Sequence, residues 1–167
     1  MQAKNMTTCI GIIIIAVALC LMGFIPGQAA DKKEIVIGTH LSLTGMLAMS
    51  GTEQKWSYEQ AVADVNKAGG IFVKEYGKKL PVKLIVADDE SDPGKAAAAV
   101  EKLIKLQKVD LILSGHSTPL TIPSMVTADK YKKYYHGTTC LIPVWAGPNF
   151  KWSTMFCIDM QAIADSA

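Results

Sequence analysis

The chain has 167 residues, half of them hydrophobic, with 17 basic side chains against 15 acidic ones and a formal net charge of +2. Every basic residue is a lysine. With no basic patch and no acidic tract, the composition excludes nucleic acid as a partner, and it leaves no arginine to fork onto a carboxylate.

The first thirty residues read as a secretory signal. Lys4 stands in a short polar start, an uncharged apolar run follows from Cys9 to Ile25, and Pro26-Gly27 leads into the small residues of GQAA. That order suits cleavage near Ala29 or Ala30 better than a helix continuing through lipid. The expected product is residues 31–167, one domain in length, exported to the periplasm or beyond. Cys9 and Cys20 leave with the leader, and Cys140 and Cys157 remain, either as a disulfide or as two buried thiols.

Past the leader, β-branched runs alternate with helical patterns. EIVIGTHL (34–41) is a strand and SLTGMLAMSG (42–51) a small-residue loop. The spacing of Trp56, Ala61, Val62 and Val65 predicts a helix over 53–70, stopped by Gly69-Gly70. LPVKLIVADDE (80–90) is a second strand. DPGKAAAAVEKLIKLQK then offers Asp92 as N-cap, Pro93 at the first helical position, and Val100, Leu103 and Ile104 on one face. VDLILSG (109–115) is a third strand, 119–133 a helix, YYHGTTC (134–140) a fourth strand and STMFCID (153–159) a fifth, with a further helix beginning in MQAIADSA.

This alternation predicts an α/β fold: a doubly wound parallel sheet of order 2-1-3-4-5 with helices on both faces. Such sheets bind ligands outside the carboxyl ends of the strands where the winding reverses, here between strands 1 and 3. SLTGMLAMSG and GHSTPLT (115–121) lie at that place. Gly115 admits a tight turn, Ser117 and Thr118 present hydroxyls, and Pro119 pre-sets the helix start. A helix amino end favours negative charge, so a small carboxylate fits. The plainer role for Ser-Thr-Pro is a cap. Beside it, Gly137, Thr138 and Thr139 offer carbonyl and hydroxyl acceptors suited to an ammonium, or else form an ordinary turn.

Other chemistries find less support. His40, His116 and His136 all fall near strand ends, and three imidazoles can hold zinc, but their spacing matches no compact ligand motif. The carboxylates of DDESD (88–92) read as a solvated strand end with Asp92 capping the next helix. A phosphate loop and a GxSxG elbow are both absent. The chain is read as a non-enzyme with no cofactor.

EIVIGTHLSLTGMLAMSG, EQAVADVNKAGGI, KLIVADDESDPGKAAAAVEKLI and DLILSGHS together resemble the solute-binding proteins of branched-chain amino acid ABC transporters, which are type I periplasmic binding proteins. The resemblance runs from about Lys33 to the end of the chain. It implies a carboxylate subsite at Ser117 and Thr118, an ammonium subsite at Gly137, Thr138 and Thr139, and a side-chain pocket around Met49, Ser50 and Gly51. It also implies an amino acid or similar small carboxylate as ligand and a membrane permease as partner.

Ser50 stands where many relatives carry an aromatic residue, and GHSTPLT is a residue or two shorter than its counterparts. LIPVWAGPNFKW departs most, with Trp145 either lining the pocket or packing elsewhere. Family members close two lobes around the ligand, whereas residues 31–167 correspond to the amino-terminal lobe alone. Weak binding by these residues alone is therefore expected. The alternatives are a ligand-sensing ectodomain of the same fold, a secreted metal-binding protein using the three histidines, and a truncated reading frame.

Overall fold

The computed structural model describes residues 32–138, 140 and 147–156, and those from Lys33 onward belong to one compact unit. Among the described residues five parallel strands form, the two long ones from valine- and isoleucine-rich runs: β1 (Ile35–Leu41), β4 (Val82–Asp88), β5 (Leu111–Leu113), β6 (Tyr135–Gly137) and β7 (Ser153–Met155). Their order is β4-β1-β5-β6-β7, and every pairing is parallel. Counting these strands in chain order gives the predicted 2-1-3-4-5. Three α-helices among the described residues accompany them: α1 (Ala48–Lys67), α2 (Pro93–Lys105) and α3 (Thr118–Lys130).

One element was not anticipated. Residues 71–80 form an antiparallel hairpin, β2 (Ile71–Val73) and β3 (Lys78–Leu80), so Leu80 belongs to the hairpin and β4 begins at Val82. A 3-10 turn over Lys74–Tyr76 joins the two strands, and Gly77 closes it in the left-handed region at φ 62°. The two strands are three residues each, and lysines in the second and in the turn between them hid their alternation.

The core lies between the sheet and the α2–α3 pair. Val100 and Leu103 of α2, Met125 and Ala128 of α3, Val109, Ile112 and Tyr135 form one buried cluster. The α2 start is as read from sequence: Asp92 Oδ1 accepts the Lys95 amide at 2.8 Å with Pro93 in the first turn. On the opposite face α1 packs more loosely, with Tyr58, Ala61, Val62 and Val65 facing Ile37, Val82 and Leu113 around an apolar space of about 140 Å³. Trp56 is not part of this face; it is 65 % exposed.

The start of α1 corrects another expectation. The helix begins at Ala48 rather than in EQKW, so Met49, Ser50 and Gly51 lie in its first turns and not in a loop. A Cβ at Gly51 would overlap the Ser42 carbonyl oxygen. The glycine thus lets the helix settle directly on the chain leaving β1.

Of the carboxylates in DDESD, Glu90 and Asp92 are exposed as read, but Asp88 and Asp89 are structural. Asp89 is fully buried. Its Oδ2 meets His40 Nδ1 at 2.9 Å, and its Oδ1 accepts the Ser42 hydroxyl at 2.6 Å and the Ser91 amide at 3.0 Å. His40 Nε2 in turn lies 2.8 Å from the Tyr135 hydroxyl. Asp88 accepts the amides of Leu43, Thr44 and Glu90 and the Thr44 hydroxyl. Burial pushes the Asp89 carboxyl up, but donation from His40, Ser42 and the Ser91 amide outweighs it and holds the group below the ordinary aspartate value. The slight desolvation of Asp88 is likewise outweighed, by the Glu90 amide, the Thr44 hydroxyl and the Leu43 and Thr44 amides.

Two tests follow from this packing. Gly51→Ala should destabilise the chain by about 2 kcal/mol, the cost of overpacking against fixed backbone, read as a lower urea midpoint. For the carboxylates, a group depressed in the folded state contributes fully above its unfolded value, about pH 4 for aspartate, and loses that contribution as pH falls through the folded value. Stability should therefore decline on acidification below about pH 4. Asp89→Asn should flatten that acid limb and cost about 2 kcal/mol at neutral pH through buried hydrogen bonds left unmade; an unchanged acid limb would remove Asp89 from the account.

Candidate functional site

The winding reverses between β1 and β5, whose carboxyl ends carry the two chain segments that flank any ligand bound there. The first is residues 42–47 with the α1 start; the second is Ser114–Ser117 with the α3 start. A Cβ at Gly115 would come within 2.5 Å of the His40 carbonyl oxygen, so glycine permits these two segments to touch.

Ser117 is the residue before α3 and has φ 95° and ψ 130°, a conformation that costs a non-glycine residue of order 1–3 kcal/mol and recurs where function requires it. Its side chain does not cap the helix. Pro119 has no amide proton, and the Leu120 and Thr121 amides donate to the Ser117 carbonyl at 3.2 and 3.0 Å. What the α3 start presents to solvent is therefore the half-exposed Ser117–Thr118 pair together with the helix dipole.

The end of β6 is bound into a polar network that reaches α1. Ser114, fully buried, accepts the Thr138 amide on its hydroxyl oxygen at 2.8 Å and shares a hydrogen bond with Thr138 Oγ1 at 3.0 Å. Gln54 Nε2 donates toward Thr138 Oγ1 at 3.1 Å, the Ser114 carbonyl at 3.2 Å and Tyr58 Oη at 2.8 Å. Tyr58 donates to the same Ser114 carbonyl at 2.9 Å. Burial pushes the Tyr58 phenol up, against donation from Thr138 and Gln54, so it stays a donor. The Gly137 carbonyl accepts the Phe156 amide at 2.9 Å.

The residues singled out in the sequence fall as follows. Thr138 joins the Ser114 network at the end of β6, beside the segment that leads to Ser117 and Thr118. Gly137 is buried as the last residue of β6. Met49, 77 % exposed, and Ser50, half-exposed, sit on the first turn of α1. Thr139, Trp145 and Cys157 lie outside the described residues, as do the leader and the helix expected at the end of the chain; Cys140 is buried. Among the described residues no helix is long and apolar enough to cross a membrane.

The histidine reading does not survive. His40 is buried with both ring nitrogens engaged, and His136 Nδ1 pairs with Thr154 Oγ1 at 2.9 Å. Among the described residues no three metal-ligating side chains gather into a site.

Sequence reasoning missed Gln54, Tyr58 and Ser114. Positions 54, 58, 61, 62 and 65 form a continuous helical stripe, and that was the available signal.

Comparison with known proteins agrees with this architecture. Residues 34–166 match the family model described as periplasmic binding protein. An "Amino acid binding protein" of Pseudomonas aeruginosa is 35 % identical over 121 residues, which cover 72 % of this chain and 29 % of that protein. The crystal structure of the branched-chain amino acid transporter substrate binding protein LivJ from Streptococcus pneumoniae, in complex with isoleucine, shares the fold. It superposes with a TM-score of 0.64 at 22 % identity, over 74 % of this chain and 33 % of that one. An extracellular ligand-binding receptor from Rhodopseudomonas palustris gives 0.61 at 27 % identity, over 81 % and 36 %. The chain thus spans about a third of the length of these relatives. By the match over residues 34–166, the chain belongs to the periplasmic binding protein family.

Proposed function

We propose that the chain supplies the amino-terminal lobe of an extracytoplasmic solute-binding component of an ABC transporter, one that holds an amino acid or a similar small carboxylate and delivers it to a membrane permease. The observation that carries this reading is the family match over residues 34–166. It is supported by two half-exposed hydroxyl residues, Ser117 and Thr118, at a helix amino end beside the point where the winding reverses. The name of the Pseudomonas aeruginosa relative favours the amino-acid class. In this reading the carboxylate lies against the α3 start, where the helix dipole and hydroxyl donors replace its water without an arginine. Met49 and Ser50 border the ligand's side chain. Residues 1–30 act as a cleaved leader that takes the protein to the periplasm. A second lobe covers the ligand's other face.

One lobe leaves a ligand open to water, where each hydrogen bond contributes only about 1 kcal/mol net. Titration of the ¹⁵N-labelled 167-residue chain with leucine, isoleucine, valine, phenylalanine and their 2-oxo acids should therefore give fast-exchange shifts at millimolar concentrations. These should be confined to Ser114–Thr118, Thr138 and the first turn of α1. An absence of shifts with every compound, or shifts elsewhere only, would sink the assignment.

Ser117→Gly separates binding from folding. Relief of the positive φ should raise stability by about 1 kcal/mol, while loss of the hydroxyl weakens the ligand roughly fivefold. A variant that is more stable and binds as tightly as the parent would take the Ser117 hydroxyl out of the site.

A further inference from the structure

No stretch of this sequence is a basic run, yet the fold gathers its lysines at one end. In a parallel sheet the crossover helices run back against the strands, so helix carboxyl ends and strand lead-ins share the pole opposite the strand carboxyl ends. α1, α2 and α3 carry Lys67, Lys105 and Lys130 in their last turns. A lysine there complements the helix dipole, which is reason enough for those three. It does not account for the lead-ins: Lys33 before β1, Lys74 and Lys79 in the hairpin before β4, Lys108 before β5, Lys132 before β6 and Lys151 before β7, all exposed.

The charge balance divides accordingly. Among the described residues this pole has fourteen lysines against six carboxylates, Glu34, Asp64, Glu75, Glu101, Asp110 and Asp129, a net charge of +8. The rest has two lysines, Lys55 and Lys95, against six carboxylates, a net charge of −4. Two of the pole's carboxylates are partly spent on backbone: Asp110 accepts the Val36 amide, and Asp129 accepts the Lys151 and Trp152 amides. Lys108 and Lys132 stand at φ 53°, just past the ends of α2 and α3, where glycine would fit without strain. The sequence keeps a charge at both places at a conformational cost.

Three large apolar side chains stand among these lysines: Phe72 of β2, 62 % exposed, Leu106 at the end of α2, 68 %, and Trp152 before β7, 43 %. Each has a lysine within two positions of it in sequence, Lys74, Lys105 and Lys151 respectively. β4 and β7 are the edges of the sheet, so the three are spread over about 20 Å, four strand spacings, rather than gathered in one groove. Separate apolar points in a broad cationic field suit a fluid surface that is anionic outside and apolar beneath. They suit a rigid polyanion less, because its phosphates call for forked arginine contacts and this chain has no arginine.

We infer that the pole of the lobe opposite the strand carboxyl ends is a docking surface for an anionic phospholipid bilayer, with Phe72, Leu106 and Trp152 entering the headgroup layer and the lysines neutralising it. Docked this way, the lobe keeps Ser117, Thr118 and the start of α1 turned to the aqueous side. The inference stands independently of what those residues bind.

The test mixes the ¹⁵N-labelled 167-residue chain with bicelles of phosphatidylcholine alone or with about a third phosphatidylglycerol, each carrying a trace of lipid with a nitroxide headgroup. Broadening is read amide by amide, so the apolar leader does not obscure it. On anionic bicelles the amides of 72–79, 106–108, 132 and 151–152 should broaden and those of Ser117 and Thr138 should not. Salt at about 0.5 M should abolish the effect. Lys108→Gly combined with Lys132→Gly should raise the anionic lipid needed for half-broadening roughly twentyfold, about fivefold for each charge removed. The same variant should be more stable than the parent, which separates docking from folding. Equal broadening on neutral and anionic bicelles, broadening centred on Ser117 and Thr138, or a double variant that docks like the parent overturns the inference. A single-stranded oligonucleotide that shifts the same amides at lower concentration than the lipid also overturns it, in favour of a polyanion.

Discussion

One buried carboxylate holds the functional end of the sheet together. Asp89 lies at the end of β4, yet its partners His40 and Ser42 lie on and just past β1, and His40 reaches on to Tyr135 of β6. A charged group withdrawn from water must be matched by hydrogen bonds of defined direction or the fold does not tolerate it. That requirement fixes where three strands end relative to one another. Asp88 does the same for the loop, taking the Leu43 and Thr44 amides and the Thr44 hydroxyl from it and the Glu90 amide from its own segment. Together they convert the segment after β1 from a flexible small-residue stretch into a platform on which α1 begins.

From that platform the rest of the site is placed by close backbone approach. Gly51 brings the helix onto the Ser42 carbonyl, and Gly115 brings the β5 exit against the His40 carbonyl. α1 is thereby set at a depth where Gln54 and Tyr58 reach the Ser114 carbonyl and Gln54 reaches Thr138. The β6 end is thus tied to a helix that begins seven residues after β1, through a network with no charged member. A network of this kind, sheltered from water, specifies direction more strongly than it contributes energy.

Much of the fold was legible in the sequence because it depends on local periodicity. EIVIGTHL, LPVKLIVADDE and VDLILSG read as strands from their β-branched content, and DPGKAAAA announced both cap and first turn. The 2-1-3-4-5 order followed from the right-handed crossover rule. The hairpin over 71–80 was not legible, since lysines and a 3-10 turn break its alternation. The start of α1 was missed because AMSG has a loop's composition, and only the contact with Ser42 shows why a helix begins there.

For the site, sequence alone determined that Ser117 and Thr118 follow a strand flanking the winding reversal and that Thr138 follows the next strand, because strand order and chain position suffice for that. It also excluded an arginine clamp and a phosphate loop. Tertiary structure alone decided what each polar group has left to offer. Asp89 looked solvated and is buried, His40 stood among the candidate metal ligands and has both nitrogens engaged, and Thr138 is tied to Ser114 and Gln54. The reason is that a side chain's hydrogen-bonding capacity is finite. How much is spent internally depends on neighbours 45 to 95 residues away, which no local pattern records.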